Sequence, residues 1–311
     1  MNKYLKEYKW SNIGAMIKND KRDPSISNDS FSGKLVVISG TTSGIGCYTA
    51  KLYASHGANL IIINRNEEKS KKQCEEFIKE FKISCKYIIT DYTSISEVIS
   101  LGKQLCEIKE NIDVLIHNAG VYLTKKTFTN DGLEQVFQVN YLSSFIINYM
   151  LKEKLTSQKK ARIIFVNSEG HRFAIGGLRL DDLEWKKHLY TGLKGYGSTK
   201  TAQLLSMITF LKYYEGTGVS INAMHPGNVN SNMGENNGKL YRSFKHSFIL
   251  PSARSAEVSA KALYYLGVSK EVEKTTGCFF NLTTKEIPAP HALDTEMAWK
   301  LWEKSKLIAG V

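Results

Sequence analysis

Residues 33–46 read GKLVVISGTTSGIG, and they decide the fold. Leu35 to Ser39 form a short, unbroken apolar run rich in β-branched residues, the mark of a strand covered on both faces. Gly40, Gly44 and Gly46 follow, with three residues between the first two and one between the last two. An amphipathic helix then runs from about Ile45 to His56. Strand, glycine turn and helix in that order make an anion cradle. Small residues let the backbone come close, and the free amides of Gly44, Ile45 and Gly46 at the helix start face a phosphate. The hydroxyls of Thr41, Thr42 and Ser43 are expected to add contacts to it.

Outward from this stretch the pattern repeats. Strand-like runs occur at 35–39, 59–64, 85–90, 113–119, 162–168 and 219–226, with a seventh at 277–282. Helix-like segments lie near 45–56, 66–82, 94–109, 131–155, 196–215 and 252–268. Alternation of this kind predicts an α/β fold, a Rossmann-type doubly wound parallel sheet of about seven strands in a single domain. Its ligand crevice belongs at the carboxyl ends of the strands. The expected organisation is an N-terminal arm and linker over 1–32, a dinucleotide-binding catalytic domain over 33–282, and a helical tail over 283–311. The tail helix should start at Asp294 or Thr295 and bury Trp299 and Trp302.

Farther along, GYGSTKTAQLL sets Tyr196 and Lys200 four residues apart, on one helical face. An ammonium there favours the phenolate, drawing the phenol from about 10 toward working pH. A phenol so tuned exchanges a proton with a carbonyl or alcohol oxygen. Ser168 ends an earlier strand. Taken by itself a Tyr and a Lys at this spacing is an ordinary surface-helix pair, and the surrounding motifs are what raise it.

With the GxxxGxG turn, HNAG at 117–120, Asn140 in VFQVNYLSS, Ser168 in IIFVNSEG, Tyr196/Lys200 and HPGNVNS at 225–231, the chain resembles the short-chain dehydrogenase/reductase family from about Gly33 to Leu282. Three positions depart from the family's usual residues: Ser39 for Thr, His117 for Asn, and Ser231 for Thr. The resemblance implies a catalytic set of Ser168, Tyr196, Lys200 and Asn140, the last holding a water in a proton relay. It also implies a nicotinamide dinucleotide held by the glycine turn, by Asp91 and Tyr92 at the adenine, by Asn118, Ala119 and Gly120, by Tyr196 and Lys200 at the ribose, and by Pro226, Gly227, Val229 and Ser231 at the carboxamide. As an alternative, Asp91 is a simple helix cap.

At the end of the second strand, where a carboxylate would select NAD(H), the chain has Asn64 and then Arg65. A guanidinium pairs well with a 2′-phosphate, so NADP(H) is the expected cofactor and NAD(H) the lesser one. The plain alternative is that Arg65 is a solvated charge at a helix start.

The 28 positions from Ser168 to Tyr196 carry an insertion longer than compact family members have, similar to that of the retinol dehydrogenase-like branch. With a second loop at 233–252 it is expected to wall a deep site, with Phe173, Leu178, Trp185, Tyr241, Phe244 and Phe248 as lining candidates. The expected substrate is a bulky apolar alcohol or carbonyl compound. Rival functions are a catalytically idle NADP(H)-binding regulator, a reductase of an enone or imine, and a basic interaction protein.

The formal net charge of +12 raises the question of nucleic acid. Lysines beside glutamates, as in EEKSKKQCEEFIKEFK, make a solvated helix face instead, and no nucleic-acid partner is expected. There is no apolar run of membrane-spanning length and no secretory pattern at the start. Five cysteines without metal spacing suit free thiols in a reducing cytoplasm. No metal is expected, and a homodimer or homotetramer is the family's habit. His171, near Ser168, has no motif carboxylate to orient it and is read as a pocket-wall or surface histidine; His225 is read as a strand-end packing residue.

Overall fold

A computed structural model describes residues 3–229, 234, 237–238 and 253–311. After α1 (Trp10–Asn19), strands and helices alternate: β1 (Leu35–Ser39), α2 (Gly44–Ser55), β2 (Asn59–Asn64), α3 (Glu67–Phe81), β3 (Cys85–Ile89), α4 (Ile95–Glu107), β4 (Val114–His117). A π-helical turn (Gln138–Leu142) leads into α5 (Ser143–Ser157), followed by β5 (Ala161–Val166), α6 (Gly192–Tyr214) and β6 (Val219–His225). The chain closes with α7 (Ala256–Val268), β7 (Phe279–Asn281), β8 (Thr284–Glu286) and α8 (Thr295–Ala309).

The strands form one 8-stranded sheet in the order β3-β2-β1-β4-β5-β6-β7-β8. All neighbours are parallel except β7 and β8, which pair antiparallel. The eighth strand was beyond the expected seven: three residues, Thr284–Glu286, are too few to show a period. β1 sits between β2 and β4, so the chain winds one way through β2 and β3 and the other way from β4 onward. The crevice opens at that reversal.

The apolar runs are explained by two cores. Alternate residues of a strand point to opposite faces. Val37, Ile61, Ile63, Leu115, Ile163 and Phe165 pack on one side. Val36, Ile38, Leu60, Ile62, Ile116 and Ile164 pack on the other. Both sides are covered by helices, so no polar alternation survives in the sequence of β1.

α8 is capped by Asp294, whose carboxylate accepts from Met297 N at 2.9 Å. Trp302 is buried, with ring centroids 5.1 Å from Phe145 and 4.9 Å from Phe210. Trp299, expected to be buried with it, is 43% exposed: one turn earlier, it packs its ring edge on Trp302, with centroids 6.2 Å apart, at the rim of the seam. The thiols of Cys74 and Cys85 meet at 2.9 Å inside the core, and all five cysteines are free. No helix among the described residues is long and apolar enough to cross a membrane.

Candidate active site

One cleft of about 1440 Å³ runs along the carboxyl ends of β1, β2, β4, β5 and β6. At its floor, Gly40 adopts a φ of +73° and Gly44 one of +56°, a left-handed backbone that side chains rarely tolerate. A Cβ on Gly40 would lie 2.9 Å from Ala119 Cα, and one on Gly46 only 2.1 Å from Gly40 O. The turn is therefore pressed against both β4 and the first turn of α2. Ser43 is the residue before α2 and makes no side-chain bond to the helix, leaving its hydroxyl and the first amides toward the cleft. Gly40, Thr42, Ser43, Gly44 and Ile45 line the cleft, whereas Thr41 and Gly46 do not.

Thr41 corrects the expectation that all three hydroxyls reach a phosphate. It is fully buried, and its hydroxyl donates to Gln73 Oε1 at 2.7 Å while its amide donates to Asn64 Oδ1 at 2.7 Å. Asn64, itself buried, is thereby the clasp that ties the turn to β2. Arg65 is exposed on the cleft wall, and among the described residues no carboxylate pairs with it. Asp91 lines the cleft with Oδ1 accepting from Thr93 N at 2.9 Å and Thr93 Oγ1 at 2.8 Å. The cap of α4 is Ser94, so Asp91 is not that helix's cap. Tyr92, buried, lines the cleft beside it.

At the end of β4, Asn118 Nδ2 donates to Ser39 O and Gly40 O, both at 2.9 Å. The Ser39 hydroxyl accepts from Asn118 N at 3.1 Å and Ala119 N at 3.0 Å, work that Ser does as well as Thr. His117 is buried and stacked on Phe165, and its Nε2 donates to Asn148 Oδ1 at 2.8 Å. Burial pushes its imidazole down to about 4. Asn118, Ala119 and Gly120 line the cleft, as do Pro226, Gly227 and Val229 after β6. Ser231 lies outside the described residues, as do Tyr241, Phe244, Phe248 and most of the loop at 233–252.

Ser168, Tyr196 and Lys200 all line this cleft. Tyr196 is half-buried, and Lys200 lies beneath it with Nζ 5.5 Å from the phenol ring centre. Gly170 sits between the reactive side chains: a Cβ there would be 2.9 Å from Tyr196 Cε1 and 3.1 Å from Ser168 Oγ. Lys200 is 3% exposed and donates to Val166 O at 2.8 Å and Gln203 Oε1 at 3.2 Å. Burial, with no carboxylate among those partners, pushes its ammonium down to about 7.

Asn140 stands in the π-helical turn, a rare form that is frequent at functional sites. It does not line the cleft. Its Oδ1 accepts from Val121 N at 2.7 Å and its Nδ2 donates to Val121 O at 2.9 Å. Both ends of the amide are thus committed to the backbone of Val121. Its carbonyl accepts from Gln203 Nε2 at 2.8 Å, and Gln203 Oε1 also accepts from Asn167 Nδ2 at 3.0 Å. Sequence reasoning missed Gln203, Asn167 and Gly170. The one signal for Gln203 was its place three residues beyond Lys200, on the same helical face.

His171 is neither pocket wall nor surface. It is fully buried, and Nδ1 donates to Ser168 O at 2.8 Å while Nε2 accepts from Ala289 N at 3.0 Å, bonds that fix a neutral tautomer. It ties the Ser168 turn to the C-terminal segment. Of the lining candidates, Phe173 lines the cleft; Leu178 is core and Trp185 faces a separate small depression beside Glu134. Cys47 is half-buried with its thiol pushed up by burial, so nothing activates it. No group of three or more metal-ligating side chains occurs among the described residues.

A glycine turn at a helix start, on a doubly wound sheet, with a phenol, a hydroxyl and a buried ammonium in one cleft, defines the class of nucleotide-dependent oxidoreductases. The short chain dehydrogenase model matches residues 34–177. The chain is 30% identical to retinol dehydrogenase 13 of Homo sapiens over 296 residues, spanning 92% of this chain and 87% of that one. It belongs to the short-chain dehydrogenase/reductase family, in its retinol dehydrogenase-like branch, and is an NAD(P)-dependent enzyme acting on alcohol and carbonyl groups. Solved structures share the fold. An uncharacterised protein from Mycobacterium paratuberculosis has a TM-score of 0.69 at 23% identity, covering 91% of this chain and 96% of its own. An alcohol dehydrogenase from Thermococcus sibiricus, solved with 5-hydroxy-NADP, has a TM-score of 0.61 at 20% identity, covering 82% and 97%.

Proposed function

We propose that this protein is an NADP(H)-dependent oxidoreductase that interconverts a bulky apolar carbonyl compound and its alcohol, with Tyr196 as the proton donor and acceptor. The dinucleotide fits the cradle, since the glycine turn lines the cleft at the start of α2, where the first amides of the helix are offered to an anion. Gly40, Thr42, Ser43, Gly44 and Ile45 would hold its phosphates, Arg65 its 2′-phosphate, Asp91 and Tyr92 its adenine end, and Asn118 to Gly120 with Pro226, Gly227 and Val229 its nicotinamide end. Bound there, it supplies or takes up the hydride.

In reduction, Ser168 donates a hydrogen bond to the carbonyl oxygen and Tyr196 passes its phenolic proton to the same atom as the carbon becomes saturated. Tyr196 is left as phenolate and recovers a proton from solvent. Lys200, under the ring, opposes the phenolate charge, and Gln203 and Val166 O hold Lys200 in place. Asn140 keeps Val121 and, through its carbonyl, Gln203 in register. Substrate size and polarity follow from the cleft lining, where Leu5, Phe173, Ile175 and Leu193 are each about half exposed. Apolar side chains in that number along a cleft favour an apolar guest. The five free thiols fit a cytoplasmic setting for this enzyme, and a homo-oligomer is the assembly we expect.

The observation that carries this proposal is the convergence of Ser168, Tyr196 and buried Lys200 in one cleft. Tyr196→Phe tests it. Turnover of retinal, followed by NADPH absorbance, should fall by about a hundredfold or more, with the NADPH dissociation constant changing less than about threefold. Equal turnover in variant and parent removes Tyr196 from the chemistry.

A further inference from the structure

The arm before the sheet lies in the cleft. Leu5, Tyr8, Lys9, Ile13 and Met16 all line it. Ile13 and Met16, three residues apart, share one face of α1, and Lys9 is the extended residue just before it. The short chain dehydrogenase match begins at residue 34, and α1 lies before it.

The helix is clamped at both ends. On the amino side Tyr4 is buried, its hydroxyl donates to Asp294 Oδ2 at 2.8 Å, and its ring fills the space at Gly177, where a Cβ would come within 2.7 Å of Tyr4 Cε2. Tyr8 OH meets His291 Nδ1 at 3.3 Å. On the carboxyl side Asn19 Nδ2 donates to Glu286 Oε1 at 3.0 Å, the Arg254 guanidinium pairs with Asp23 and donates to Arg22 O at 2.7 Å, and Ser25 N donates to Thr283 Oγ1 at 2.8 Å. Asp20 stands 3.8 Å from His225, itself a cleft residue. The clamps reach α8, the β7–β8 hairpin and the segment before α7, three places fixed to the sheet. Ile13 and Met16 are only half-exposed, and both line the cavity together with Phe173, Ile175 and Leu193.

We propose that α1 is a wall of the substrate site and that Ile13 and Met16 set how long an apolar chain the enzyme accepts beyond its reacting carbonyl. This rests on the apolar-carbonyl function above. A wall of this kind acts on selectivity: each methylene of substrate that it covers adds to binding, and a bulkier side chain in its place excludes the far end of a long substrate.

The experiment compares butanal, octanal and dodecanal as substrates of the full chain with NADPH. In the parent, kcat/KM should rise with chain length. Met16→Trp should lower the ratio of dodecanal to butanal by about tenfold or more. Ile13→Ala, a smaller change, guards against a tryptophan variant that does not fold, and should also lower the ratio by removing contacts. A ratio unchanged within about twofold in both folded variants overturns the inference. A second readout does not depend on turnover. Amide hydrogen exchange over residues 10–19 should slow when dodecanamide is added to the protein with NADPH, and unchanged exchange sinks the wall even if dodecanal is reduced. Conversely, slowed exchange without reduction of any of the three aldehydes supports the wall and removes the carbonyl function.

Discussion

At Asn64 and Arg65, two adjacent side chains part company. Asn64 turns inward and clasps Thr41, accepting from its amide at 2.7 Å, while Arg65 turns outward on the cleft wall. The amide in place of a carboxylate removes a repulsion, and the guanidinium adds an attraction. Hydrogen bonds to charged partners are worth about 1.5–3 kcal/mol, a factor of about ten to a hundred in affinity. Arg65→Ala should therefore raise the NADPH dissociation constant by that factor and leave NADH within about twofold, as read by titrating cofactor fluorescence. Equal losses for both cofactors would show Arg65 acting as general charge. The residues at this corner were only partly legible in the sequence. Glycine spacing gave the turn because backbone geometry restricts it to few residues. Which of Thr41, Thr42 and Ser43 faces inward was not readable, since a loop has no period to assign its side chains.

Between elements, what counts is how closely the 3-10 turn at Glu169–Phe173 can lie on α6. Two glycines set it. A Cβ on Gly197 would come within 2.7 Å of Gly170 O, and one on Gly170 within 2.9 Å of the Tyr196 ring. Glycine inside a helix costs about 1 kcal/mol against alanine, so Gly197 carries a cost that this contact explains. Gly170→Ala should push the phenol from the Ser168 hydroxyl and lower kcat by about ten- to a hundredfold, with NADPH affinity within about threefold. An unchanged kcat would mean that Ser168 and Tyr196 tolerate separation. The strands and helices themselves were legible from apolar runs and helical spacing. The meeting of α6 with this turn, the π-helical turn holding Asn140, and the eighth strand were not, because each depends on contacts between segments far apart in the chain. The arm shows the same limit: its helical pattern was visible, and its place in the cleft was set by partners at Asp294, Glu286 and Arg254.

For the whole molecule, buried ionisable groups decide the response to acid. His117 is held at about 4 by burial, against an ordinary value of 6.5. Between those two values the unfolded chain binds a proton that the folded one refuses, so the stability His117 contributes is complete above pH 6.5 and drains away as pH falls toward 4. At 1.36 kcal/mol per unit the loss is about 3 kcal/mol. Buried His171 is pushed the same way and loses in the same sense. Glu286 opposes them. Burial, and then the neighbouring Glu169, push its carboxyl up, so the folded state gains a proton there before the unfolded chain does, and stability rises as pH falls. The parent's acid profile is a sum of opposed slopes, and a difference between two proteins isolates one of them. His117→Asn keeps a polar side chain for Asn148 and removes the titration. Measured by urea unfolding, the stability of the variant relative to the parent should improve by about 3 kcal/mol between pH 7 and pH 4. A difference that stays constant across that range would mean that His117 takes up its proton in the folded state as readily as in the unfolded one.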